Sequence, residues 1–105
     1  MPAEDFFLGV YMTAVQPGEL LTKITIPPAD GDGFASVTVG NEGTCIVNAA
    51  ATRNGDTRFA VGCVAAVPVT SLDDLDPPSD VHGSAEYRRH LAQVLVDRAI
   101  AEAGG

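Results

Sequence analysis

The side chains best suited to chemistry are few in this sequence, and their spacing does not gather them. The only histidines are His82 and His90. A nucleophilic serine or cysteine needs a base within hydrogen-bond reach, and no serine or cysteine has a histidine placed by a recognisable pattern to activate it. His82 stands in an aspartate-rich loop near Asp80, and His90 falls on the polar side of a helical pattern, so both read as solvated. Asp73, Asp74, Asp76 and Asp80 could hold a hard cation, but their spacing fits no EF-hand loop and Pro77 and Pro78 interrupt them. The stretch "GNEG" (40–43) lacks the glycine spacing of a phosphate loop and carries an acid, so it reads as a turn. Cys45 and Cys63 lack metal-ligand spacing. These residues predict no catalytic residue, no cofactor-binding residue and no metal site.

Two other groups of residues ask for an explanation. Of six aromatic residues, three lie in "DFFLGVY" (5–11), namely Phe6, Phe7 and Tyr11. Aromatic rings dominate cores and interfaces, whereas chain ends fray unless tied down. In "SAEYRRHLAQVLVDRAIAEA" (84–103), Tyr87, Leu91, Val94, Leu95 and Ala99 form an apolar helical stripe, and Arg88 and Arg98 fall inside or beside it. A buried guanidinium requires a partner. Arg88 is therefore expected either to reach a carboxylate of this chain or to face a partner. Glu19, fixed by the preceding Pro17-Gly18 turn, is the best internal candidate, with Arg89 as the alternative donor.

The elements that must position these residues follow from pattern. Leu20, Thr22, Ile24 and Ile26 alternate with Leu21, Lys23 and Thr25, the period of a half-buried strand, closed by Pro27-Pro28. "ADGDG" (29–33) reads as a loop and "FASVTVG" (34–40) as a second strand. Residues 44–67 read as a hairpin around Asn54-Gly55. A type I turn over Arg53-Asn54 with Gly55 left-handed separates the faces best. It sets Cys45, Val47, Ala49 and Ala51 opposite Cys63, Val61, Phe59 and Thr57. Both cysteines are then expected on the buried face, reduced. Residues 68–83 form an irregular connector, and Ser84 caps a helix running to about Ala103. The expectation is an α+β fold, an antiparallel sheet of about four strands with a C-terminal helix packed on one face.

Composition bounds the function. At 105 residues, 46% apolar and 19% charged, the chain suits one globular domain. Its net charge of −8 repels phosphate backbones and anionic membranes alike, which argues against nucleic-acid or membrane partners. No apolar run is long enough to span a bilayer. Acids rather than bases in "MPAEDFF" predict no signal peptide, hence a cytoplasmic protein.

Three stretches carry a family resemblance. "DFFLGVYMTAVQPGELLTKITIP" (5–27) resembles the opening of the C-terminal domain of the FAD-binding medium subunit of molybdenum hydroxylases, the carbon monoxide dehydrogenase and xanthine dehydrogenase family. "VGCVAAVP" (61–68) resembles that family's strand ending in Val-Ala-x-x-Pro. "GSAEYRRHLAQVLVDRAI" (83–100) is similar to its last helix, which opens Ser-x-x-Tyr-Arg-Arg. The resemblance implies antiparallel strands with helices on one side, and a single domain over 1–105 with the FAD domain absent. It implies that Phe6, Phe7 and Tyr11 lie near the junction with a flavin domain or, alternatively, cover one end of the sheet. It also makes Glu19, Tyr87, Arg88 and Arg89 interface or structural residues.

By the same resemblance, the full complex would hold FAD, a molybdenum cofactor and iron–sulfur clusters. Its partners would be an FAD-binding domain, an iron–sulfur subunit and a molybdenum subunit. Two departures stand out: Ala35 follows Phe34 where relatives often carry a base, and Glu42-Gly43-Thr44 stands where an Asp is frequent. A helical segment before the last helix is also shortened to "VTSLDDLDPPS". The residues that most often lie near the flavin in relatives are therefore not plainly present, and the chain is expected to support a flavin domain. The alternative is a free-standing interaction module that lost its redox partners.

Overall fold

The buried apolar side chains come from two neighbouring strands, the segment that follows them, and one long helix. The structure, a computed structural model, describes residues 1–40, 43–77, 79 and 83–104. In chain order these form a short helix α1 (Ala3–Phe6), strands β1 (Phe7–Gly9) and β2 (Met12–Thr13), and strands β3 (Gly31–Val39), β4 (Thr44–Asn54) and β5 (Asp56–Gly62). A 3-10 turn (Leu72–Asp74) and helix α2 (Ala85–Glu102) complete them.

Strands β3, β4 and β5 make an antiparallel sheet in that order, with α2 across one face. Alternation decides which face. In β3, Gly33 is buried and Ala35, Val37 and Val39 are half-buried, while Asp32, Phe34, Ser36 and Thr38 are exposed. Val47, Ala49 and Ala51 of β4 and Val61 of β5 continue the buried face. The helix answers with Leu91, Ala92, Leu95, Val96 and Ala99, and burying a side chain of Leu95's size contributes about 1.5–3 kcal/mol. Many of these residues are small, which lets the helix come close. A side chain on Gly31 or Gly33 would collide with the carbonyls of Ala103 and Ala99. That is why β3 starts at Gly31, inside the expected 29–33 loop: strand glycines mark close backbone approach.

The hairpin keeps its expected faces with a different register. Gly55 is left-handed (φ 79°), but Ala49 pairs with Val61, Ala51 with Phe59 and Arg53 with Thr57. The partner strand has slid by two positions, which preserves the faces because the side-chain period is two. Arg53 is thereby a ladder residue rather than part of the turn. Its Nε donates to Ala103 O (3.2 Å), placing a cation at the helix C-terminus, where the macrodipole favours it. Opposite Val37 and Thr38, β4 carries an extra residue, so Thr38 pairs with Cys45 and Val37 with Val47. This bulge at Ile46 breaks the alternation, and Cys45 and Cys63 do not face each other across the ladder.

Helix α2 begins as expected, with Ser84 Oγ accepting from Tyr87 N (3.1 Å), and it ends before left-handed Gly104. The connector carries the 3-10 turn, capped by Ser71. It also adds Val69 to the edge of β5 through two hydrogen bonds with Val61. His82 and Asp80 lie outside the described residues.

The sheet under the helix has three strands among the described residues, and β1 and β2 pair separately as a two-stranded ribbon. Among the described residues, 20–26 pair with no strand. Leu20, Ile24 and Ile26 are 82%, 73% and 83% exposed. The alternating pattern is present, but nothing in this structure covers its apolar face.

Candidate functional site

The N-terminal segment forms the first candidate. β1 and β2 pair as a minimal hairpin, turning at Tyr11 with φ 55°, and Ala14 N donates to Phe6 O (2.9 Å). Phe6 and Phe7 meet edge to face, with centroids 5.2 Å apart. Pro17 and left-handed Gly18 make the expected turn, closed by Glu19 N to Gln16 O (2.9 Å). Between hairpin and strip runs a groove of about 590 Å³, lined by Phe6, Phe7, Leu20 and Ile24 with Glu19 and Lys23 as its charged members. Phe7, Tyr11 and Met12 are exposed. The hairpin and α1 pack on one another, whereas the extensive contacts of the sheet are with α2. Among the described residues, the side chains packed against the sheet–helix core do not include Phe6, Phe7 or Tyr11.

The second candidate is the start of α2. Arg88 is 4% exposed and its Nη1 donates to Ile46 O (2.6 Å), tying helix to β4 at the bulge. Tyr87 and Arg89 are exposed. The apolar stripe thus runs through Arg88 rather than Tyr87, because the stem of an arginine packs like a hydrocarbon while its head finds polar atoms. Glu19 is exposed, and its Oε1 accepts from Gln16 N (2.7 Å), so its carboxylate serves its own turn rather than the helix.

A third cluster was hidden in the sequence. Asn48 Nδ2 donates to Cys45 Sγ (3.4 Å) and to Cys63 Sγ (4.0 Å). Cys45 is half-buried and Cys63 exposed. Burial pushes the Cys63 thiol above its ordinary value, the adjacent Cys45 thiol to which it is hydrogen-bonded adds to this, and the Arg88 guanidinium opposes it. The one available signal was Asn48, a polar side chain inside the apolar run from Cys45 to Ala51.

These residues do not fit a flavin. A dinucleotide needs backbone N–H groups open to its phosphates. The N-terminus of α2 spends its first turn on Ser84 Oγ and Ser79 Oγ, the latter accepting from Ala85 N at 2.6 Å. The groove sets Glu19 beside Lys23, so its charged side chains offer a phosphate no net positive charge. No group of His, Cys, Asp and Glu among the described residues could hold a metal ion, and none of the described helices is long and apolar enough to cross a membrane.

The architecture is that of an α+β module, a short antiparallel sheet backed by its C-terminal helix, without a catalytic constellation among the described residues. The sequence profile of the CO dehydrogenase flavoprotein C-terminal domain matches residues 38–103. The nicotine 6-hydroxylase medium subunit of Paenarthrobacter nicotinovorans is 33% identical, across 97% of this chain and 47% of that protein. The carbon monoxide dehydrogenase medium chain of Afipia carboxidovorans is 34% identical, across 96% and 46%. In three dimensions the chain superposes on reconstituted CO dehydrogenase from Oligotropha carboxidovorans with a TM-score of 0.81 at 26% identity, covering 94% of this chain and 46% of that one. This chain belongs to the CO dehydrogenase flavoprotein C-terminal domain family. It spans about half the length of the curated relatives it matches.

Two details of the match bear on the site. The profile begins at residue 38, yet the relatives align with nearly all of this chain, so most of the N-terminal segment is shared with them although it lies outside the profile. The first alignment runs over 139 positions against a chain of 105, leaving at least 34 without a residue here.

Proposed function

We propose that this chain is a non-catalytic module of a carbon monoxide or xanthine dehydrogenase-type flavoprotein subunit, supporting an FAD-binding domain and making subunit contacts within an oxidoreductase complex. In that complex FAD, a molybdenum cofactor and iron–sulfur clusters carry the redox chemistry, on the flavin domain, the molybdenum subunit and the iron–sulfur subunit. The observation that carries this reading is the exposed apolar strip of residues 20–26 beside the Phe6–Phe7 hairpin. Relatives share this segment and are about twice as long, so they contain further chain against which it can be covered. Exposed contiguous apolar surface of this kind marks interaction sites.

The half of the nicotine 6-hydroxylase medium subunit that this chain does not match provides the test, expressed separately, loaded with FAD and mixed with this chain. Co-elution on gel filtration, with Lys23 shielded from trypsin in the mixture, is the expected result. Separate elution with Lys23 equally accessible would favour a free-standing interaction module.

A further inference from the structure

We propose that Cys45 and Cys63 form a dithiol site that undergoes reversible thiol–disulfide exchange with low-molecular-weight disulfides, closing a covalent bridge between the start of β4 and the exit of β5. Both residues lie at the open end of the hairpin, one at the start of β4 and one just past β5, and a single side-chain amide, Asn48 Nδ2, reaches both sulfurs. Several features build this arrangement. The bulge at Ile46 takes Cys45 out of the strict alternation of β4. Gly62 leaves room for the Asn48 amide over β5, since a Cβ there would stand 2.5 Å from Asn48 Oδ1. Cys63 then turns out of the strand with φ 70°. A left-handed conformation at a residue with a Cβ is strained and persists where the surroundings impose it. Such strain at a solvent-accessible cysteine beside a second thiol points to use rather than packing.

The chemistry balances with a disulfide of the glutathione class as oxidant. Cys63, the exposed partner, loses its proton to solvent, and its thiolate attacks one sulfur of the disulfide. A Cys63–glutathione bond forms as the glutathione S–S bond breaks, and one glutathione thiolate leaves. The Cys45 thiolate next attacks the Cys63 sulfur, forming the internal disulfide and expelling the second glutathione. The protein loses two protons and two electrons, and the oxidant is reduced to two thiols. Asn48 N–H donates toward both sulfurs and favours the negative charge that each carries in turn. Burial and the Cys45 thiol hold the Cys63 thiol above its ordinary value, only partly opposed by the Arg88 guanidinium, so its attack needs alkaline buffer. The step order follows from exposure, because the attacking thiolate must reach a solution disulfide and the resolving one must not.

The whole chain, fully reduced and freed of reductant, is incubated with oxidised glutathione in mildly alkaline buffer, quenched with iodoacetamide and weighed intact. The expected product is a monomer two hydrogens lighter than the reduced chain, carrying no alkyl group and restored by dithiothreitol. Cys45→Ser should stop at a single glutathione adduct on Cys63, and Asn48→Ala should slow the first adduct severalfold with an unchanged circular dichroism spectrum. Two alkylated cysteines after prolonged oxidation would overturn the proposal. So would stable adducts on both cysteines without an internal bond, or disulfide-linked dimers as the main product.

Discussion

Gly33 has no side chain because a main-chain carbonyl of α2, that of Ala99, occupies the position where its Cβ would be. The neighbour cannot move alone, since that carbonyl belongs to a helix held by Leu95, Val96 and Ala99 in the core. Gly33→Ala should therefore lift the helix from the sheet and destabilise the protein by about 1–3 kcal/mol or more in urea unfolding. Ser36→Ala, on the exposed side of the same strand, should stay within about 0.5 kcal/mol. At this scale the sequence was partly legible. Ser84, Gly55 and Pro17-Gly18 declared their roles because each satisfies a local backbone requirement. Arg88 stands out in the sequence, yet its place inside the stripe is concealed, because its charge masks an apolar stem. The Asn48 cluster was illegible, since it depends on a bulge that only the β3 pairing creates.

Among elements, β4, β5 and α2 were readable because their apolar residues recur with the period of a strand or a helix, apart from the bulge at Ile46. The two-position slide of the hairpin was not, because registers of equal parity keep the same faces and only the reach of Arg53 to Ala103 separates them. The strip 20–26 shows the limit of pattern: alternation predicts a face to bury but not what buries it. Because its side chains are exposed, the strip should contribute little to the stability of the sheet and helix. Lys23 is the only lysine, and brief trypsin treatment should cut after it before any of the arginines. The fragment that begins at Ile24 should melt cooperatively within a degree or two of the intact chain. A fall of several degrees would mean that the strip packs on the sheet–helix unit.

Over the whole molecule, a net charge of −8 favours solubility, while the first 26 residues display Leu8, Val10, Leu20, Ile24 and Ile26 to solvent. The two tendencies compete, and the apolar one is short-ranged and saturable. Sedimentation velocity should show reversible self-association as concentration rises, weakened by Leu20→Glu with Ile24→Glu, and unchanged secondary structure. A strictly monomeric chain over the same range would count against an accessible apolar strip. Family membership was legible at this scale and at no smaller one, since the Phe-Phe, Val-Gly and Tyr-Arg-Arg stretches are each weak and only their order across the chain is specific. The close approach of β3 to α2 also brings the two ends of the sheet–helix unit together. A Cβ on Gly31, at the start of the sheet, would lie 3.7 Å from the Cα of Ala103, at the end of the helix. The unit from 31 to 103 therefore begins and finishes at one corner, as insertable domains do. Spliced into a surface loop of an unrelated host, it would bridge a gap hardly wider than the one it replaced, so it is portable as a cassette.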